Sequence, residues 1–243
     1  MILFNFKNYL DVDCSADFAG KISRIKTVQE IVIAPPMLSL QAVAKKRRGK
    51  NVHLCAQNLD YAQRGAHTGD IVVNDLKGLG CKYVLIGHSE TRHRAAPRIG
   101  ESDELIAKKM RLAVDYGIIP VLCFGETMKE HDAGQAEKVV RRQLTSAFAD
   151  IGRHNIRVVL AYEPVWAISS QKGAQACGSE YVVEMLKTVR RIMNGRAKYS
   201  FIYGGSVNGS NVRDYLSAAG IDGVIIGKAG TDAHMLKDLA AKI

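Results

Sequence analysis

Apolar and polar positions along the chain follow two rhythms. Short β-rich runs recur at Ile2 to Phe6, Ile31 to Ala34, Val52 to Ala56, Tyr83 to Gly87, Ile118 to Phe124, Arg157 to Ala161, Tyr199 to Tyr203 and Gly223 to Ile226. Their spacing, about 30 residues, is that of a strand plus its crossover helix. The apolar runs are nearly continuous instead of alternating, as in strands covered on both faces, which predicts parallel pairing. Between them the helical rhythm is clearest over Ser102 to Tyr116, Gln135 to Ala149, Ser179 to Met193 and Asp232 to Lys242. In the third of these, Val182, Leu186, Val189 and Met193 share one stripe, with Ser179 as the expected N-cap and Asn194-Gly195 as the stop.

Repeated strand-helix units admit either a closed (β/α)8 barrel or an open doubly wound sheet. The dinucleotide-binding version of the open sheet wants G-x-G-x-x-G after the first strand. Asn5-Phe6-Lys7-Asn8-Tyr9 stands there instead, so the barrel is expected. No composition break, proline-rich linker or low-complexity tract divides residues 1–243, which predicts a single α/β domain.

A length of 243 residues with 47% apolar content suits one such barrel. No stretch reaches the roughly 18 uncharged apolar residues of a membrane span. Met1 leads into the first strand-like run with no charged leader or cleavage site, so a cytoplasmic protein without a membrane partner is expected. The five cysteines are scattered, with no C-x-x-C pair and no histidine at metal spacing, which predicts reduced thiols and no metal. Lys and Arg exceed Asp and Glu by 10, a balance that favours meeting an anion. The densest basic run, Lys45-Lys46-Arg47-Arg48-Gly49-Lys50, reads as a solvated helix end with Gly49 in the left-handed position after it, and no nucleic-acid partner is expected.

In a barrel of this kind reactive side chains gather at the carboxyl ends of the strands. The first strand ends in Asn5 and Lys7, the fourth in Gly87-His88-Ser89-Glu90 and the sixth in Glu163-Pro164. The seventh ends in Gly204-Gly205-Ser206 and the eighth in Gly227-Lys228-Ala229. The two glycine-rich turns offer unencumbered backbone N–H groups beside helix starts, which attract phosphate. A P-loop is excluded, because Asp222 and Ala229 stand where that motif needs Gly and Ser or Thr. Taken singly, His88 reads as a structural histidine, Glu163 as a strand-end anchor and Lys7 as a solvated charge. Converging on a phosphate site, the three suit proton abstraction beside a carbonyl. A Schiff base on Lys7 stands as the second reading.

At these residues the sequence resembles the triosephosphate isomerase family, from the first strand to the eighth. Asn5-Phe6-Lys7 resembles the family's Asn-x-Lys, Ala56-Gln57-Asn58 its third-strand end and Gly87-His88-Ser89-Glu90 its histidine motif. Cys123-Phe124-Gly125-Glu126-Thr127 resembles the fifth-strand signature. Ala161-Tyr162-Glu163-Pro164-Val165-Trp166-Ala167-Ile168 is similar to the base and the start of the lid, and Tyr203-Gly204-Gly205-Ser206-Val207 to the phosphate loop. The resemblance implies a TIM barrel that interconverts dihydroxyacetone phosphate and glyceraldehyde 3-phosphate, a step of glycolysis and gluconeogenesis, without metal or organic cofactor. It implies Glu163 as base and His88 as electrophile, with Asn5 and Lys7 completing the catalytic set. Asn5 and Lys7 would also meet the substrate, and Ser206 with the backbone N–H groups of Ser169, Gly227 and Lys228 would hold its phosphate. Glu90 stays outside the catalytic set, as a partner for a nearby cation.

Residues 164 to 174 would then form a lid, and here the sequence departs from the family. Ser169-Ser170-Gln171-Lys172 stands where Gly-Thr-Gly-Lys is common, which predicts an altered hinge equilibrium. Lys228 replaces a common glycine, and Thr91 replaces a common arginine after the Ser-Glu pair. The loop from Asn58 to Asp70, with His67 in place of a common Phe, implies a homodimer in which Thr68 braces Asn5 and Lys7 of the partner. Two other readings of the same fold are a phosphosugar aldolase and a binding or scaffold protein that has lost turnover.

Overall fold

The computed structural model describes residues 1–94, 96–151, 156–168 and 176–243. Eight strands, β1 (Ile2–Asn5), β2 (Ile31–Ala34), β3 (Val52–Ala56), β4 (Cys81–Ile86), β5 (Ile119–Phe124), β6 (Arg157–Tyr162), β7 (Lys198–Tyr203) and β8 (Gly223–Ile226), pair in chain order, all parallel. The ring closes where Ile2 and Phe4 of β1 face Val224 and Ile226 of β8. This is the expected (β/α)8 barrel.

Around it run α1 (Val12–Ile22), α2 (Leu40–Lys46), α3 (Val73–Gly78), α4 (Ser89–Arg92), α5 (Asp103–Asp115), α6 (Met128–Asp132), α7 (Ala136–Ala147), α8 (Ser179–Met193), α9 (Val212–Ser217) and α10 (Ala233–Ala240). The expected stripe of α8 is buried, but Gly178 is its N-cap and Ser179 its first helical residue, so the Ser179 cap is corrected by one position. Gly178 already has the extended backbone a cap needs, and no side-chain bond is made there. At the basic run the helix ends on Arg47 in extended backbone, and Gly49 adopts φ +95° two residues later, in the turn into β3. Gly49 therefore shapes the helix-to-strand turn and does not cap the helix itself.

Strand periodicity divides the apolar residues into two cores. Ile2, Phe4, Ile31, Ile33, Leu54, Val84, Ile86 and Leu122 face outward and pack under the helices. Leu3, Val32, Cys55, Tyr83, Leu85, Val121, Cys123, Val159, Ala161 and Ile202 fill the barrel. At the amino ends of the strands, Glu30 Oε1 accepts from Lys82 at 2.6 Å and from the Tyr83 hydroxyl at 2.7 Å, with His53 Nε2 at 3.1 Å. Packed side chains therefore occupy the interior and leave working space at the other rim. Four of the cysteines are buried and Cys14 is exposed, all as free thiols. No helix among the described residues is long and apolar enough to cross a membrane.

Candidate active site

The inward row of β1 runs from Leu3 to Asn5 and on to Lys7, and that of β6 from Val159 and Ala161 to Glu163. On β4 the row stops at Leu85, and Gly87 at φ +71° turns the chain so that His88 reaches the same space. Asn5, Lys7, His88 and Glu163 thus line one cavity of about 120 Å³, closed on its far side by Gly204, Ser206, Gly227 and Lys228. A second cavity of about 690 Å³ adjoins it past Lys7 and His88, bounded by Tyr9, Leu38, Gln57 and Arg98.

Glu163 is 2% exposed. Burial pushes its carboxyl up from the usual range, opposed by the nearby charges of His88 and Lys7 and by a hydrogen bond from Cys123. Oε1 lies 3.6 Å from His88 Nε2, and Oε2 is buried with no hydrogen-bond partner among the described residues. Room for this carboxylate comes from Gly204, where a Cβ would stand 2.5 Å from Glu163 Cγ.

His88 is the N-cap of α4, and its Nδ1 accepts from the Glu90 N–H at 3.2 Å. An imidazole that accepts at Nδ1 carries its proton on Nε2, the atom facing Glu163. Thr91 supports this turn, its hydroxyl lying 2.9 Å from the His88 carbonyl and 3.0 Å from Glu101 Oε2. Arg92 braces it from below through the carbonyls of Gly87 and Cys123. Cationic support for this turn thus comes from Arg92, one residue past Thr91.

Lys7 has φ +46°, a left-handed conformation that side chains rarely adopt and that raises the energy by about 1–3 kcal/mol. Two side chains hold it there. Asn5 Oδ1 accepts from the Lys7 N–H at 3.0 Å, and Gln57 Nε2 donates to the Lys7 carbonyl at 2.8 Å and to the Ala34 carbonyl at 3.0 Å. The ammonium meets Glu90 Oε1 at 2.5 Å, the cation pairing expected for that carboxylate.

At the opposite wall, both the N–H and the hydroxyl of Ser206 donate to the Ala167 carbonyl, at 2.9 and 2.7 Å. The turn after β8 leads straight into a short 3-10 helix, Lys228–Gly230, as expected. After β7 the next helix begins only at Val212, so Gly204-Gly205-Ser206 is not beside a helix start and offers its turn alone. Ser169 and the altered lid positions Ser170, Gln171 and Lys172 lie outside the described residues. The base of that segment is described: buried Glu126 accepts from Trp166 Nε1 at 2.8 Å and from the Tyr162 hydroxyl at 3.0 Å.

Gln57, Cys123 and the Glu126 cluster are the parts of the site that reasoning from residue types did not assign, and Gly204, expected only in a phosphate turn, also makes room for Glu163. Gln57 acts through the main-chain carbonyls of Lys7 and Ala34 and Cys123 through the Glu163 carboxylate, and their sequence signals are position at a strand's carboxyl end and the family resemblance of those strand ends.

A closed parallel barrel whose strand ends bring a buried carboxylate, an oriented imidazole and an ammonium to one small cavity is a barrel enzyme arranged for proton transfer. Comparison with known sequences makes the class specific. The sequence model of the family described as "Triosephosphate isomerase" matches residues 1–243. The triosephosphate isomerase of Aquifex aeolicus (strain VF5) is 40% identical over 209 residues, covering 84% of this chain and 82% of the relative. That of Symbiobacterium thermophilum is 38% identical over 221 residues, covering 89% and 84%. The enzyme of the same name from Thermoanaerobacter pseudethanolicus is 37% identical over 204 residues, covering 82% and 81%. The chain belongs to the triosephosphate isomerase family, and it is an isomerase.

Proposed function

We propose that this chain interconverts dihydroxyacetone phosphate and D-glyceraldehyde 3-phosphate by the following division of labour, serving glycolysis and gluconeogenesis in the cytoplasm. Glu163 removes a proton from the carbon beside the carbonyl. His88 Nε2–H and the Lys7 ammonium stabilise the charge that develops on oxygen, giving an enediolate. Returning the proton to the neighbouring carbon completes the turnover, with His88 relaying protons between the two oxygens. The pairing of a carboxylate base with an imidazole electrophile is the standing description of this family. Asn5 orients substrate and Lys7, while Ser206 and the N–H groups of Ser169, Gly227 and Lys228 take the phosphate.

The observation that carries this reading is Glu163, whose buried Oε2 has no hydrogen-bond partner among the described residues and whose side chain lines the same cavity as Lys7 and His88. Such an atom is unfavourable unless a ligand engages it. Because Ser206 already donates twice to Ala167, phosphate must displace a bond to the lid's base, which couples binding to movement of that segment. The aldolase reading has less support, since the Lys7–Glu90 ion pair employs the ammonium and a Schiff base needs the free amine.

The homodimer is proposed to form through residues 58 to 70. The neck of that loop is closed by Asp60, whose N–H donates to the Ile71 carbonyl at 2.9 Å and whose Oδ2 accepts from the Ile71 N–H at 2.7 Å. Beyond the neck Thr68 is exposed, as a bracing residue for a partner needs to be. The deciding experiment is turnover in both directions by the purified protein without added metal, with Glu163→Gln as control. Turnover that disappears in the variant supports the assignment. A folded, phosphate-binding wild type that does not turn over overturns it.

A further inference from the structure

Gly230 is a glycine for a reason that its backbone does not supply. Its φ is not in the left-handed region, so an L-residue there meets no conformational penalty. What excludes a side chain is Phe4, since a Cβ on Gly230 would stand 2.7 Å from Phe4 Cδ1 and 3.5 Å from Cε1. The aromatic ring of β1 therefore lies directly against the end of the 3-10 turn that follows β8.

The two sides of this contact differ in freedom. Phe4 is fully buried in the outer core, and its strand is paired on both sides, with Ile33 of β2 and Ile226 of β8. The turn is a three-residue 3-10 segment outside the strand ladder, with Ala229 and Gly230 buried against the outer core and Lys228 outside it. Gly230 N–H donates to the Gly227 carbonyl at 2.9 Å, while the Lys228 carbonyl accepts from the N–H and the hydroxyl of Thr231 at 3.0 and 2.9 Å. Lys228 itself is exposed. Pressure at Gly230 therefore shifts the short turn more than the ring, whose strand is held by ladders on both sides. Through the Gly230–Gly227 bond it moves Gly227 and Lys228, two residues that line the cavity.

We infer that Phe4 and Gly230 form a size-matched pair that sets the height of the phosphate-gripping turn, and that both are positioning residues for substrate affinity. The inference rests on the reading that Gly227 and Lys228 hold phosphate. An added methyl at Gly230 displaces the turn by on the order of half an ångström, lengthening charge-assisted hydrogen bonds whose strength depends steeply on distance. The carboxylate and imidazole stand after β6 and after β4, away from the pair, and the Lys7 ammonium is held by its ion pair with Glu90.

The test compares Gly230→Ala with wild type in three readouts. Competitive inhibition by inorganic phosphate is expected to weaken by about three- to tenfold, the size of one or two impaired hydrogen bonds to a charged group. The kcat/KM for glyceraldehyde 3-phosphate falls by the same factor. Proton exchange into glyceraldehyde, which has no phosphate, stays within twofold, because the chemistry is untouched. Phe4→Val removes the ring atoms that face the turn, and the double variant Phe4→Val/Gly230→Ala is expected to recover most of the lost phosphate affinity. An unchanged phosphate affinity in folded Gly230→Ala overturns the pair, as does an equal loss toward glyceraldehyde. If Phe4→Val does not fold, Gly230→Ala and Gly230→Val are compared; affinity falling with side-chain size supports the pair, and equal values overturn it. Wild type that phosphate does not inhibit at all removes the underlying phosphate reading as well, which separates the two failures.

Discussion

Glu163 holds two properties that pull against each other. Its proposed role as base needs the ionised form, and burial raises the energy of that form. Its raised folded-state value means that the folded protein prefers the protonated carboxyl. Destabilisation therefore appears as pH rises through the ordinary value of 4.5 and is fully present above the folded-state value. Glu163→Gln removes that charge while keeping the shape, so its melting temperature should exceed that of wild type at pH 7.5 and match it near pH 4. The same variant should lose turnover by about 10²- to 10⁴-fold, the usual worth of a general base. Thermal melts at both pH values beside a coupled assay check both effects, and an equal gain in melting temperature at both would contradict the burial argument. Lys228 poses a milder question. Its exposed ammonium at the phosphate wall should lower KM through a screened attraction, so Lys228→Ala should raise KM about two- to fivefold at low ionic strength and little at high salt. A KM indifferent to both the substitution and salt would leave only the backbone N–H at work.

Among the elements, two helices give measurable handles. Leu186 of α8 is 2% exposed within the outer core, so Leu186→Ala should reduce stability by about 2–5 kcal/mol in denaturant titration. Asp232 caps α10 by accepting from the N–H groups of His234 and Met235, so Asp232→Ala should reduce it by about 1 kcal/mol. The same elements explain what was legible. Strands announced themselves because each is covered on both faces, and Ile31–Ala34, Val52–Ala56 and Gly223–Ile226 fall on the expected residues. By contrast α1 was obscure, because its buried stripe of Ser15, Phe18, Ala19 and Ile22 includes a serine and an alanine that carry little apolar signal. At the site, Asn5, Lys7 and Glu163 were readable as ends of inward rows. Gln57 was not, because it works by binding the main chain of two other strands, and no residue-type pattern encodes that. The Phe4–Gly230 fit is invisible for a related reason: a glycine's necessity is known only once its neighbour in space is known.

At the scale of the whole molecule, the exposed stretch from 63 to 70 beside the cavity beyond Lys7 bears on the proposed link between association and activity. If the partner braces Asn5 and Lys7, specific activity should fall on dilution in step with dissociation followed by sedimentation, and a monomer of full activity would separate the two. The ring of strands has a last consequence, for how the chain comes into being. Until β8 is in place, β1 and β7 are unpaired edges that invite association with other chains. Asn5 and Lys7 stand at one of these edges, and Gly227 and Lys228 on the strand still missing. A ribosome must therefore release the chain through Lys228 before both walls of the cavity can meet, so products truncated before β8 should be inert and prone to clump.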